Sequence, residues 1–430
     1  MERNLAVAVP GNRRRFEHLQ AGSLGLLLMV LPLAHVPAVQ LVLAGCCLLL
    51  FVIGLFRGDA CFSAELPAGL KWALAAWLLT TMLSCLWSID PLRSLSGVLM
   101  GVWAPAGIFL FALKLGDDPA LLRRALSGFS AGFVLLCLVC LIGLLKGGMF
   151  LVSQGVSDAL SSDFWVRWYP GPGLASSFVL ISLPLSWWIW RDRLRPAGGG
   201  ILLALLVVGM LSLNRMFWIG LAVMAIVGGA TSRFARTRDF LSGHRMKLLL
   251  MGACLLVGVS LLGATMLRDG EAGLDAKSLV QASRKLVKDP RWEIWQNWLN
   301  AGLERPLLGT GYGKEVARRV YRDDFLPIAP DQMDPAGKSH PHNLFLSLWI
   351  QTGVPGLAAF LFLLGALFRF AAINVSTVGE RTNAAAALSM LTAMLFFKNL
   401  TDDFYDVALP LMFWAYAGLM VGAMNRKVSV

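Results

Sequence analysis

The hydrophobic residues of this chain fall into runs of about 20, the length an α-helix needs to cross a hydrocarbon core. Twelve such runs lie near residues 20–36, 38–56, 68–87, 95–114, 125–145, 171–190, 199–213, 215–231, 247–267, 342–369, 383–399 and 407–424. Most connectors between them are short. Polar residues gather in two longer stretches, roughly 146–170 and 268–341. The pattern predicts an all-α, polytopic integral membrane protein of about 12 transmembrane helices, with one large loop domain between spans 9 and 10. The division is 1–267 for spans 1–9, 268–341 for the loop domain, and 342–430 for spans 10–12. Inside the loop, Leu279, Leu286, Trp292, Trp295, Leu299 and Leu303 recur at helical spacing over 277–304, and Pro290 is placed to start a new helix.

Composition and charge sharpen this picture. Of 430 residues, 57% are hydrophobic and 15% charged, against roughly one-quarter charged in soluble domains. The net charge of +12 comes from short basic clusters between apolar runs. That arrangement fixes membrane topology rather than binding nucleic acid, because Lys and Arg are retained on the cytoplasmic side. Arg123-Arg124, the Arg191–Arg195 cluster, the basic stretch from Arg233 to Lys247, and Arg426-Lys427 all fall on one side of the alternation. Both termini are therefore expected to be cytoplasmic and the large loop to lie on the outer face. No cleavable signal is visible, and the first span reads as an uncleaved start after Arg13-Arg14-Arg15. The seven cysteines sit almost entirely in apolar runs. Cys137-x-x-Cys140 lies mid-span and reads as packing, so no disulfide is expected.

Candidate chemistry gathers where the large loop turns back into apolar sequence, at His340-Pro341-His342-Asn343-Leu344, continuing to Gly353-Val354-Pro355-Gly356. Imidazole suits proton transfer near neutral pH, and two of the five histidines stand here. His340 and His342 make half of a zinc site, but a site needs three or four ligands; the outer loops add no cysteine and no histidine but His35, and Asp331 and Asp334 are oxygen ligands without recognisable spacing, so no metal or other cofactor is expected. On residue type alone, a structural histidine and a general base both stand, with Asn343 placed to hydrogen-bond either the histidine or a substrate. Arg215, at a turn between two spans, either snorkels to headgroups or binds an anion. Arg291 follows Pro290 at a helix start, where free backbone N–H groups and a guanidinium fork match phosphate oxygens, or else it is a solvated charge. Arg167 lies in the aromatic cluster Asp163–Tyr169, which reads equally as a membrane-interface belt. Lys398-Asn399-Leu400-Thr401-Asp402-Asp403 reads as a solvated connector, with its aspartates, Asp402 among them, as alternatives for orienting the histidine or pairing an arginine. Gly309-Thr310-Gly311-Tyr312-Gly313 reads as a flexible turn; no strand precedes it, so it is not a phosphate loop.

His342-Asn343, followed after nine residues by Gly353-x-x-Gly356, resembles the histidine–glycine signature of the bacterial O-antigen ligase family, which includes O-antigen polymerases and protein O-oligosaccharyltransferases. Leu211-Ser212-Leu213-Asn214-Arg215 and Arg291-Trp292-Glu293-Ile294-Trp295, leading to Pro306–Gly311, are similar to it as well, though Asn214 stands where a small hydroxyl residue is expected. The resemblance covers roughly residues 170–370. It implies a glycosyltransferase-C-like helical fold in the bacterial inner membrane with its active site on the periplasmic side. It further implies a glycan donor linked to undecaprenyl diphosphate, a lipid A–core acceptor, and metal-independent transfer; direct displacement would invert the anomeric centre. Arg215 and Arg291 match family arginines for the donor diphosphate, and His342 takes the base role. His340, Asn343, Arg167 and Asp402 are supporting candidates.

The competing class is a lipid or solute transporter. Transport usually needs ionisable groups or broken helices within the spans, whereas here the polar residues lie in outer loops. Among enzymes, the compact length and single large loop favour ligase over polymerase.

Overall fold

The structure is a computed structural model, and it describes residues 11–33, 36–57, 66–147, 171–192, 198–212, 214–234, 291–321, 341–375, 380–403 and 407–426. Every regular element among them is helical. In chain order these are α1 (Gly11–Val30), α2 (Pro37–Phe56), α3 (Ala68–Leu83), α4 (Pro91–Val98), α5 (Ala104–Asp117), α6 (Pro119–Gly147) and α7 (Gly171–Arg191). They continue with α8 (Gly198–Leu211), α9 (Arg215–Phe234), α10 (Arg291–Leu303), α11 (Lys314–Val320), α12 (Leu344–Asn374), α13 (Glu380–Lys398) and α14 (Ala408–Asn425). A 3₁₀ turn over Ser84–Trp87 extends α3, and a π-turn over Leu99–Trp103 joins α4 to α5.

Helices stand at eleven of the twelve positions marked by hydropathy; the twelfth, 247–267, lies outside the described residues. By length and composition, seven helical stretches among the described residues are apolar enough to cross a membrane, and two shorter ones, Gly199–Met210 and Met216–Thr231, are also apolar. This is an integral membrane protein. The first helix starts earlier than its apolar run, at Gly11, because helical hydrogen bonding continues through the polar Arg13–Glu17 turn. It also ends sooner, at Val30. Its last carbonyls are capped by the Gln40 side-chain amide, which donates to Val30, Leu31 and Leu33 at 3.4, 3.1 and 3.0 Å, satisfying groups that a helix end leaves open.

The apolar side chains of α14 are buried along almost its whole length, and it packs against α5, α7 and α13. Small residues permit the close approach that membrane helices rely on in place of a hydrophobic driving force. A Cβ on Gly422 would stand 2.1 Å from the Leu113 carbonyl oxygen of α5, and one on Gly128 of α6 only 1.8 Å from the Gly25 carbonyl oxygen of α1. Elsewhere α3 packs along α12, and α9 along α13.

Candidate functional site

The helix read from hydropathy as one span over 342–369 is two helices joined at a kink. Gly353 breaks it, at φ 67° and ψ −170°, a region that only glycine occupies without strain. The break frees backbone groups, and the preceding loop takes them up. Thr310 and Gly311 donate their N–H groups to the carbonyls of Ile350 and Gln351, both at 2.9 Å, and Val354 N–H donates to Pro306 at 3.1 Å. Trp349 Nε1 adds a bond to the same Pro306 carbonyl at 3.0 Å, and Gly313 N–H reaches Gln351 Oε1 at 2.8 Å. The Gly309–Gly313 segment, expected to be a flexible turn, is thus a docked strap. Gly309, Gly311 and Gly313 all have positive φ. Its far side is fastened to the turn that extends α3, where Trp87 Nε1 donates to Leu308 O at 2.7 Å and Tyr312 N–H to Ser84 Oγ at 3.1 Å. Beyond the strap, Arg319 of α11 pairs with Asp90, the N-cap of α4, at 2.8 Å.

His342 and Asn343 stand where this strapped half-helix begins. Asn343 is its N-cap, accepting from Leu346 N–H at 3.0 Å while its amide donates to Leu400 O at 2.9 Å. Leu344 N–H is shared between the carbonyls of Asn399 and Asp402, at 3.0 and 2.9 Å. These bonds press the 398–403 loop against the helix start. His342, partly buried, takes φ 48° and is the one non-glycine with positive φ among the described residues. Functional sites often hold such strain, provided the surroundings over-determine it.

The 398–403 loop is not a solvated connector. Lys398, Asn399 and Asp403 are buried; Lys398 pairs with Asp402, and Lys314 with Asp403 at 3.3 Å. Asp403 N–H caps the Asp402 carboxylate at 2.9 Å. The same loop touches the start of α9. Thr401 Oγ1 lies 3.0 Å from Met216 Sδ, next to Arg215. Arg215 is the first residue of α9, and Asn214 is its N-cap, its Oδ1 accepting from Met216 N–H at 2.8 Å. A hydroxyl residue would serve this cap as well, so Asn214 keeps the local geometry.

Arg291 is the first residue of α10, and 277–290, the earlier part of the stretch expected to be helical, lie outside the described residues. Trp298, two turns and about 10 Å along that helix, forms a small apolar cluster with Ile294, Tyr321 and Ile350, which seats α10 on the first half of α12. Trp298 also lines a narrow cleft with Lys314, Pro341, Ser347 and Gln351. Burial, and then the nearby Asp403 carboxylate, push the Tyr312 phenol above its ordinary range, so it stays protonated. His340 and Arg167 lie outside the described residues. Among the described residues no group of three or more metal-ligating side chains is clustered.

The stretch 171–361 matches the family model for O-antigen ligase. The match supports assigning this stretch to the O-antigen ligase family. No curated protein matches the chain. The matched domain runs from α7 through the first half of α12 and just past the Gly353 break, so it contains Arg215, Arg291, the glycine strap, His342 and Asn343. It stops before the 398–403 loop, although that loop holds Asn343 and Leu344 in place. The match supports an O-antigen ligase- or polymerase-like function in broad terms, the members of that family being glycosyltransferase-like enzymes that act on polyprenyl-linked glycans. Lys314, Lys398, Trp298 and Gln351 were not singled out as site residues by sequence pattern, and Asp403 only as one of two adjacent aspartates in an apparent connector.

Proposed function

We propose that the protein is an O-antigen ligase of the bacterial inner membrane, working on the periplasmic face with both termini cytoplasmic. It moves a glycan from undecaprenyl diphosphate to a sugar hydroxyl of lipid A–core. His342 takes the proton of the acceptor hydroxyl as its oxygen attacks the anomeric carbon. The bond from that carbon to the diphosphate oxygen breaks, and the departing electron pair stays on the diphosphate, facing Arg215 and Arg291. One displacement inverts the anomeric centre. No metal is needed for these steps.

The observation that carries this reading is the 398–403 loop. It hydrogen-bonds the residues following His342 and touches the residue following Arg215, so the base and an arginine-bearing helix start converge from elements far apart in the chain. A broken helix within a span is also a transporter feature. Here, however, the carbonyls before the Gly353 break accept from Thr310 and Gly311, and the N–H after it donates to Pro306, which favours a rigid framework over an ion site.

The test is reconstitution with undecaprenyl-diphosphate glycan plus either lipid A–core or a second donor molecule. Product on lipid A–core with wild-type protein, absent in His342→Ala at equal membrane abundance, is expected. Full transfer by that variant removes the general base, and product only on the second donor makes the enzyme a polymerase. Arg215→Lys and Arg291→Lys should recover only part of the activity lost on alanine substitution, because the guanidinium fork is gone.

A further inference from the structure

Two ion pairs flank the start of α12, and they are built in opposite senses. In the Lys398–Asp402 pair the cation is the hidden member, its side chain 5% exposed against 35% for the carboxylate. In the Lys314–Asp403 pair the carboxylate is hidden, at 1%, and the ammonium is 27% exposed. A lysine serving only to neutralise a buried carboxylate gains nothing from standing at a cleft wall. Lys314 does stand there, and it is the charged residue lining a cleft whose other walls include Trp298, Pro341, Ser347 and Gln351. Pro341 directly precedes His342, so the cleft adjoins the proposed base.

The walls around Lys314 are fixed rather than adaptable. Gln351 is committed on both ends, accepting from Gly313 N–H and donating to Ser347 Oγ, each at 2.8 Å. Ser347 N–H bonds the Asn343 carbonyl at 2.9 Å. The docked strap therefore places the Lys314 backbone, and Asp403 behind it aims the ammonium. A lysine ammonium is a compact point charge that serves a carboxylate and a phosphate oxygen together.

We propose that Lys314 is a further substrate-binding residue of the site, whose ammonium, positioned by Asp403, contacts a phosphate oxygen. This rests on the glycan-transfer reading above. The phosphate has two sources: the diphosphate of the donor, or a phosphate carried on the acceptor's core sugars. Asp403 is a positioning residue, acting through Lys314.

The experiment removes both charges at once, because Lys314→Gln alone would leave a buried carboxylate unpaired and confuse binding with folding. Full-length Lys314→Gln/Asp403→Asn protein, and as a second variant the apolar pair Lys314→Met/Asp403→Leu, are reconstituted beside wild type. KM and kcat are measured for the donor and for phosphorylated and dephosphorylated acceptor. Binding of undecaprenyl diphosphate, and of each acceptor, is measured without turnover. Loss of one charge-assisted contact predicts weakening on the order of tenfold. A rise in KM and Kd for the donor and its diphosphate carrier assigns the contact to the donor. A rise confined to phosphorylated acceptor assigns it to the acceptor. Unchanged KM and Kd for all of them, in whichever double variant retains the wild-type melting midpoint, overturn the proposal and leave Lys314 as the counter-ion of Asp403. Wild-type protein without transfer activity would sink the ligase reading alone, since the binding measurements still decide the role of Lys314.

Discussion

A Cβ placed on Gly353 would stand 2.0 Å from the carbonyl oxygen of Leu307. Two segments more than forty residues apart therefore meet backbone to backbone, and the glycine is the contact. The same juncture explains Gly309, where an added Cβ would lie 2.6 Å from the Ile350 carbonyl oxygen. The two glycine motifs are halves of one joint that sets the direction of the helix beginning at Asn343.

Gly353→Ala should accordingly disturb the joint rather than merely stiffen a span. Positive φ with extended ψ costs a non-glycine residue about 1–3 kcal/mol, before the clash with Leu307 is counted. A lower melting midpoint in detergent and strongly reduced transfer are expected. Gly365, further along α12 with nothing within 4 Å of an added Cβ, is the control. Gly365→Ala should be neutral or stabilising by up to about 1 kcal/mol, as for any glycine in a helix interior. Equal melting shifts for the two variants would remove the special role of Gly353.

Asn343 does two jobs that substitution can separate. Asn343→Ala loses the cap on Leu346 and the tether to Leu400, for about 1–2 kcal/mol in all. Asn343→Asp keeps an oxygen for the cap but sets a carboxylate against the Leu400 carbonyl. Stability is expected to fall in the order Asn, Asp, Ala. Transfer should fall with both variants, since the tether also fixes the 398–403 loop beside His342. An Asp variant as active as wild type would show that the tether does not matter.

The Lys398–Asp402 pair predicts an asymmetry. Asp402→Asn leaves a lysine with a 5% exposed side chain without its counter-charge, which costs about 3 kcal/mol or more when a buried pair is broken. Lys398→Met leaves a carboxylate that is 35% exposed and able to hydrate, so its effect should be smaller, near 1 kcal/mol or less. Chemical or thermal unfolding of both variants in the same detergent decides the order, and the reverse order would contradict the burial on which the argument rests.

Hydropathy made the helices legible because lipid imposes one length and one composition on every span. The starts of α9 and α10, with Arg215 and Arg291 as their first residues, were marked by short local signals. What could not be read locally was anything depending on distant partners. Lys398-Asn399-Leu400-Thr401-Asp402-Asp403 has the composition of a surface loop, and only tertiary contact buries it. Gly353 was visible as a signature but not as a break, since the carbonyls it frees are taken by Thr310 and Gly311, some forty residues earlier. Lys314 belongs to the same class. Its partner Asp403 lies across α12 and α13, and nothing in either neighbourhood points to the other.

The backbone of His342 allows the base and the strain it sits in to be told apart. At φ 48° an alanine carries a left-handed penalty of roughly 1–2 kcal/mol, which glycine does not, and asparagine tolerates that region better than alanine. In an ordinary helix or strand Gly is the less stable choice. At 342 the order should invert, with His342→Gly more stable than His342→Ala by about 1 kcal/mol and His342→Asn between them. None of the three supplies an imidazole, so transfer should be lost in all, whatever their stability. Melting midpoints and transfer rates, measured on the same preparations, give both readouts. If Ala proves more stable than Gly, the strained conformation is not held in the membrane. If any of the three retains full transfer, the proton leaves the acceptor by another route.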